Sequence, residues 1–297
     1  MSPDPILAGN PRAIARAATA IENRTPEGVA LLEQLRPYAN RALVVGITGA
    51  PGAGKSTLLD QLVALARSAG KTVAVLAVDP SSPFSRGAIL GDRIRLQRHS
   101  GDPGVFIRSV ATRGALGGVA AATADLITLL DAAGRDIVFV ETVGVGQSET
   151  EIVSLADVTV VVLVPSMGDD VQALKAGLLE IASIFVINKA DLPGSDQLAC
   201  ELDQMQSLTA ADPKPVLRTV ASNGLGVQHL LAVLASLPRH ARQTAKPIRL
   251  KLANYGCVVK ALRARGIPIS QLADGRALLR LENVLLELTK EQESSSL

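Results

Sequence analysis

The chain has 297 residues, 47% of them hydrophobic, and its 30 Lys and Arg against 28 Asp and Glu leave a net charge of +2. That length and apolar content permit a sizeable buried core, arranged as one large domain or two small ones. Near charge balance with no Trp, two Tyr and four Phe argues against a nucleic-acid partner, which calls for a concentrated basic face and for aromatic rings that stack on bases.

Cys200 and Cys257 form neither a C-x-x-C pair nor a disulfide framework and read as free thiols of a reducing cytosol. The opening MSPDPILAGNPRAIARA has no basic segment followed by an apolar run, so it does not read as a secretory signal. The strongest apolar runs, such as Val158–Val164, have strand length and are too short to span a bilayer. The expectation is a soluble cytoplasmic protein with no membrane partner.

Two short helices are expected first. Asn10-Pro11 combines a cap with a proline at the first helical position, and Ile14, Ala17, Ala18 and Ile21 follow at helical spacing. Thr25-Pro26 repeats the device, with Val29, Leu32 and Leu35 on one face. From Leu43 short apolar runs alternate with helical stretches. The runs are Leu43–Thr48, Thr72–Val78, Val105–Ile107, Ile137–Val140, Val158–Val164, Ile184–Ile187 and Val216–Thr219. Between them the helical pattern covers Ser56–Ser68, Gly117–Ala132, Asp170–Ile181, Gln197–Leu208 and Leu225–Leu237. Continuous apolarity suits parallel strands covered on both faces, so the pattern predicts a doubly wound α/β fold with ligands at the carboxyl ends of the strands. After Pro238 the periodicity weakens, apart from a helical stretch at Ala277–Leu288. The expected organisation is an N-terminal helical extension over 1–40, a nucleotide-binding domain over 41–238 and a C-terminal extension over 239–297.

Gly49-Ala50-Pro51-Gly52-Ala53-Gly54-Lys55-Ser56 fits G-x-x-x-x-G-K-[ST] between a buried strand and a helix. Glycines let successive backbone N–H groups turn inward around phosphate oxygens, and the following helix points its positive end at them. Lys55 supplies positive charge to the outer phosphates, the Ser56 hydroxyl is placed to ligate Mg²⁺, and Thr57 extends the binding segment. Asn188-Lys189-Ala190-Asp191, directly after an apolar strand, selects the base. The Asp191 carboxylate can accept from guanine N1–H and the 2-amino group, and adenine would leave it unpaired. Downstream, Val220 stands where many GTPases carry serine, while the Ala221 N–H is expected to reach guanine O6. Asp79, Asp92 and Glu141 lie at strand ends or in the loops between, and Glu141-Thr142-Val143-Gly144 is a variant of D-x-x-G. Carboxylates around Mg²⁺ and the attacking water are what phosphoryl hydrolysis requires. The residues leave open which acid ligates directly. The Gly144 N–H is placed to bond the γ-phosphate.

Further stretches go beyond a generic GTPase: Val78-Asp79-Pro80-Ser81-Ser82, Ile89-Leu90-Gly91-Asp92-Arg93, Leu116-Gly117-Gly118, Glu141–Glu149 and Gly168–Gly177. Together with the P-loop and Asn188–Asp191 they resemble the MeaB/ArgK family of G-protein chaperones, over about Asn10 to Asp191. That family belongs to the SIMIBI class of P-loop proteins, which work as nucleotide-controlled dimers. The resemblance implies a Mg²⁺-dependent GTPase, with GTP and GDP as ligands and no tightly bound organic cofactor. Its implied task is to gate adenosylcobalamin loading, protection and repair of a B12-dependent acyl-CoA mutase. It puts Lys55, Asp79, Asp92 and Glu141 in catalysis, Ser56 and the three acids around the metal, and a switch loop at Val164–Lys175 in which Asp169 and Lys175 exchange ion-pair partners. This chain departs from the family at Ser183, where an acid is usual, at Val220, and in the tail after Pro238.

Three other readings are weaker. A P-loop metabolic kinase would not need the guanine-reading tetrapeptide. A nickel metallochaperone GTPase often carries His- or Cys-rich tracts, whereas His99, His229 and His240 are scattered and read as surface or packing residues. A structural adaptor with a dead site would not retain Lys55, Ser56 and the acids.

Overall fold

The computed structural model of the chain describes residues 1–39, 41–79, 96–99, 101–111, 118–142, 155–165, 182–209 and 213–236. Three helices come first: α1 (Asp4–Leu7), α2 (Pro11–Glu22) and α3 (Pro26–Leu35). The Asn10 side chain accepts from the Arg12 and Ala13 N–H groups at 3.0 and 3.1 Å, and the Thr25 hydroxyl accepts from Gly28 N–H at 3.1 Å. Each cap satisfies donors that the first helical turn leaves open. The single turn α1 is too short to announce itself by periodicity, yet it buries Ile6.

Seven strands follow in one sheet: β1 (Leu43–Gly49), β2 (Val73–Asp79), β3 (Val105–Ala111), β4 (Ile137–Thr142), β5 (Val158–Leu163), β6 (Ile184–Asn188) and β7 (Val216–Thr219). Their order is β3-β2-β4-β1-β5-β6-β7, and every pairing is parallel. The connecting helices are α4 (Lys55–Ser68), α5 (Gly118–Ala132), α6 (Ser195–Thr209) and α7 (Val227–Ser236). Alternation along each strand divides the core into two layers. Val45, Phe139 and Val160 pack with Leu58 and Leu62 of α4 and Leu230 and Leu234 of α7. Val44, Val138 and Val140 pack on the other face with Leu126 and Leu130 of α5 and with Ile14 and Leu35 of the N-terminal helices. On that same face, Leu198 and Leu202 of α6 cover Val161, Phe185 and Ile187. The expected helices at Asp170–Ile181 and Ala277–Leu288, and the tail over 239–297, lie outside the described residues.

β3 runs four residues beyond the apolar stretch that suggested it, because an edge strand tolerates polar side chains with an outside partner. Arg108 supplies the case, donating through Nε to Glu22 Oε2 at the end of α2, at 3.1 Å. Two residues later Arg24 reaches Asp125 of α5 at 3.3 Å. Two ion pairs thus fasten the α2–α3 turn to β3 and α5. Asp125 is only 4% exposed. Burial pushes its carboxyl up to about 7, against the pull of the Arg24 and Arg36 guanidinium groups and with added repulsion from Glu33.

Candidate nucleotide site

β1 lies between β4 and β5, and the chain leaves it in one direction and later returns on the other side. Such a reversal in strand order opens a crevice at the carboxyl ends. A cavity of about 570 Å³ occupies this point, bordered by the P-loop, the ends of β2 and β4, and Lys189. That volume is within the range of small-ligand sites.

The P-loop leaves β1 at Gly49 and enters α4 at Lys55. Gly49 has φ +141°, and a side chain there would meet the Val162 carbonyl oxygen at 2.2 Å. Gly54 has φ +88°, and a Cβ on it would fall 2.4 Å from Asn188 Nδ2. Only glycine fits such positions. Lys55 is buried and donates from Nζ to the Gly49 and Ala50 carbonyl oxygens at 2.8 and 3.1 Å. The ammonium is therefore held inside the loop by the loop's own backbone. Pro51 and Gly52 are exposed at the rim, Ala53 is fully buried, and Thr57 lines the cavity.

Ser56 and Glu141 come together from different elements. The Ser56 hydroxyl donates to Glu141 Oε1 at 2.7 Å, and both residues are more than nine-tenths buried. Glu141 stands across from Ile47 of β1 and Ala77 of β2 in the sheet. A buried hydroxyl beside a carboxylate is a hard-oxygen donor pair that fits Mg²⁺, which takes one or two protein oxygens and completes its shell with phosphate and water. Among the described residues no three His, Cys, Asp or Glu side chains converge into an all-protein metal cage. Asp79 closes β2 opposite Ala111 of β3. Asp92, Gly144, Asp169 and Lys175 lie outside the described residues.

At the end of β6, Asn188 turns inward and not toward solvent. Its Nδ2 donates to the Ala53 carbonyl at 2.8 Å, and its Oδ1 accepts from Thr219 Oγ1 at 3.1 Å and Ala221 N–H at 3.0 Å. The residue ties the P-loop to the loops after β6 and β7. The Ala221 N–H assigned to guanine O6 on sequence grounds is here a donor to Asn188. Lys189 takes φ +54° and is exposed along the cavity, and Asp191 is exposed on the same turn. The Ala190 N–H donates to the Thr219 carbonyl at 3.1 Å, which holds that turn against β7.

Of the histidines, His99 is buried and bonded through Nε2 to Asp60 Oδ1 on α4 at 2.9 Å, where Arg98 Nε also donates at 2.7 Å. His229 is exposed, and His240 lies outside the described residues. Ala77, Val78 and Thr142 border the cavity without a sequence signal of their own, since small or β-branched residues at a strand end are ordinary.

The family described as Methylmalonyl Co-A mutase-associated GTPase MeaB matches residues 14–256. The chain belongs to the MeaB family. A putative GTPase of Pyrococcus horikoshii is 53% identical to this MeaB-family chain over 228 residues, covering 75% of it and 72% of the relative. The GTPase ArgK of Escherichia coli is 45% identical over 187 residues, which cover 62% of this chain and 56% of ArgK. Among solved structures, the LAO/AO transport system kinase superposes with a TM-score of 0.64 at 26% identity, over 97% of this chain and 90% of that one. The family's description supports the GTPase reading. No helix among the described residues is long and apolar enough to cross a membrane.

Proposed function

We propose that this chain binds Mg²⁺–GTP, hydrolyses it to GDP and phosphate, and uses that cycle to gate adenosylcobalamin loading and protection of a cobalamin-dependent acyl-CoA mutase. The observation that carries the nucleotide half is the 2.7 Å Ser56–Glu141 contact beside the buried Lys55 ammonium. Ser56 and Glu141 would hold Mg²⁺, which supplies neutralising charge at the outer phosphates. Lys55 adds a second positive charge there, and Asp191 accepts the guanine N–H groups. Asp79, Asp92 and the Gly144 N–H are proposed around the reacting phosphate and water. Asp169 and Lys175 form the proposed switch that reports on the partner. The mutase half is supported by the family, whose description names methylmalonyl-CoA mutase. On this reading residues 1–40 are a helical extension, 41–238 the GTPase domain and 239–297 a region for homodimerisation.

The test is hydrolysis of GTP and ATP by the parent and by Glu141→Gln, with and without methylmalonyl-CoA mutase. The parent is expected to prefer GTP and to be stimulated by the mutase. Glu141→Gln should lose at least about 100-fold in rate, the scale of one preorganised electrostatic contact, while holding GDP with little change. If nucleotide state alters mutase affinity, the mutase must alter nucleotide affinity by the same factor. Parental hydrolysis by Glu141→Gln would remove that residue from the mechanism, and indifference to every acyl-CoA mutase would remove the chaperone role.

A further inference from the structure

Strands β1 and β4 part company at the phosphate end of the sheet. Their pairing runs from Leu43–Ile137 to Ile47–Glu141. One residue on, Thr48 and Gly49 stand across from Val161 and Val162 of β5, while Thr142 stands across from Val78 of β2. The β1–β4 ladder thus ends before the β1–β5 and β2–β4 ladders do, and the ends of β2 and β4 border the nucleotide cavity. A side-chain bond joins the two strands just past the end of their ladder. The Thr142 hydroxyl donates to Thr48 Oγ1 at 3.1 Å, and both residues are fully buried.

The pleat gives this bond its leverage. Phe139 belongs to the layer under α4 and Val140 to the layer under α5, so alternation sends Glu141 toward α4 and Thr142 toward α5. Glu141 meets Ser56 on the front of the sheet, and the next residue is fastened to the start of the P-loop from behind. Replacing threonine by valine keeps the β-branched shape and removes the hydroxyl.

We propose that Thr142 is a positioning residue for nucleotide hydrolysis: its bond to Thr48 ties the end of β4 to the end of β1 and so sets where the Glu141 carboxylate meets Ser56. The inference rests on the GTPase reading above. A metal site held by a hydroxyl in the first turn of α4, which β1 and the P-loop carry, and a carboxylate at the end of β4 would depend on how β1 sits against β4, and a misplacement of about 1 Å can cost roughly 100-fold in rate. The base site lies on β6 and β7, beyond β5, so loosening β1 from β4 leaves guanine recognition intact.

The experiment measures GTP hydrolysis against Mg²⁺ concentration, GDP affinity and melting temperature for the parent, Thr142→Val, Thr142→Ser, Thr48→Val and the Thr48→Val/Thr142→Val double variant. Thr142→Val should lose about tenfold or more in kcat and need several-fold more Mg²⁺ for half-maximal rate, with KM for GTP and GDP affinity within about twofold of the parent. Thr142→Ser, which keeps the hydroxyl, should retain the parental Mg²⁺ response. Thr48→Val removes the acceptor from the other strand and should repeat the Thr142→Val result, and the double variant should be no worse than either single one. Thr48→Val also keeps the test alive if Thr142→Val does not fold. An unaltered Mg²⁺ response in Thr142→Val and Thr48→Val overturns the proposal. So does a Thr142→Ser as impaired as Thr142→Val, which would make the methyl the working part. Parallel loss of kcat, GDP affinity and melting temperature would reduce the pair to ordinary scaffolding and overturn it as well. A parent that binds GTP without hydrolysing it overturns the GTPase reading itself, whereas a hydrolysing parent with unaltered variants overturns only the role of Thr142.

Discussion

Replacing Asn188 by alanine removes three hydrogen bonds from one buried point: the bond to the Ala53 carbonyl, the bond from Thr219 Oγ1 and the bond from Ala221 N–H. The Thr219 hydroxyl can rotate toward another acceptor, but the Ala53 carbonyl and the Ala221 N–H are backbone groups within buried residues. Each orphaned polar group costs about 1–3 kcal/mol, so Asn188→Ala should destabilise the protein by about 3 kcal/mol. The effect on ligand binding should be double, because the P-loop and the turn after β7 lose a common anchor. GDP affinity, which uses both, should fall more than affinity for pyrophosphate or for guanosine alone. Asn188→Asp sharpens the test. It keeps the acceptor for Thr219 and Ala221 but sets an oxygen 2.8 Å from the Ala53 carbonyl oxygen, so it should loosen the P-loop and spare the β7 turn. Equilibrium denaturation gives the stability difference, and titration calorimetry with the three ligands gives the affinities. Parental stability and GDP affinity in Asn188→Ala would refute the view that this side chain joins the phosphate and base halves of the site.

Asp191→Asn exchanges an acceptor for a donor. It should cost about 1.5–3 kcal/mol of GTP binding, roughly 10- to 100-fold, and shift preference toward xanthosine triphosphate; equal losses for both nucleotides in competition binding would count against base reading. Asp125 predicts a pH dependence of stability. Its folded value, about 7, is raised above an ordinary 3.8. Its contribution is thus fully present below pH 3.8 and is lost as pH rises through about 7. The full difference is on the order of 4 kcal/mol. Asp125→Asn should flatten this part of the profile in denaturation curves between about pH 4 and 7, and an unchanged slope would refute it.

The P-loop was legible because its chemistry is local: a phosphate cradle needs glycines, a lysine and a hydroxyl at fixed spacing on one turn of chain. The parallel sheet was legible for a similar reason, since strands buried on both faces, such as Val158–Leu163, must be apolar throughout. The apolar pattern stops β3 at Ile107, because Arg108 looks like a strand end until Glu22 of α2 is seen beside it. Asn188 belongs to the base-reading tetrapeptide, and its inward turn toward Ala53 depends on strands that lie far apart in the chain.

Sequence by itself therefore determined the fold class and the family, both of which rest on short-range patterns and residue chemistry. Tertiary structure decided how the pieces meet. The strand order puts β4 beside β1 and so brings Glu141 to Ser56, 85 positions away. It also brings the Thr142 hydroxyl to Thr48, just past the end of the β1–β4 ladder. No local pattern encodes such contacts, because they arise from pairing and packing between distant elements, and hydrogen bonds reward a separation in space and not in sequence.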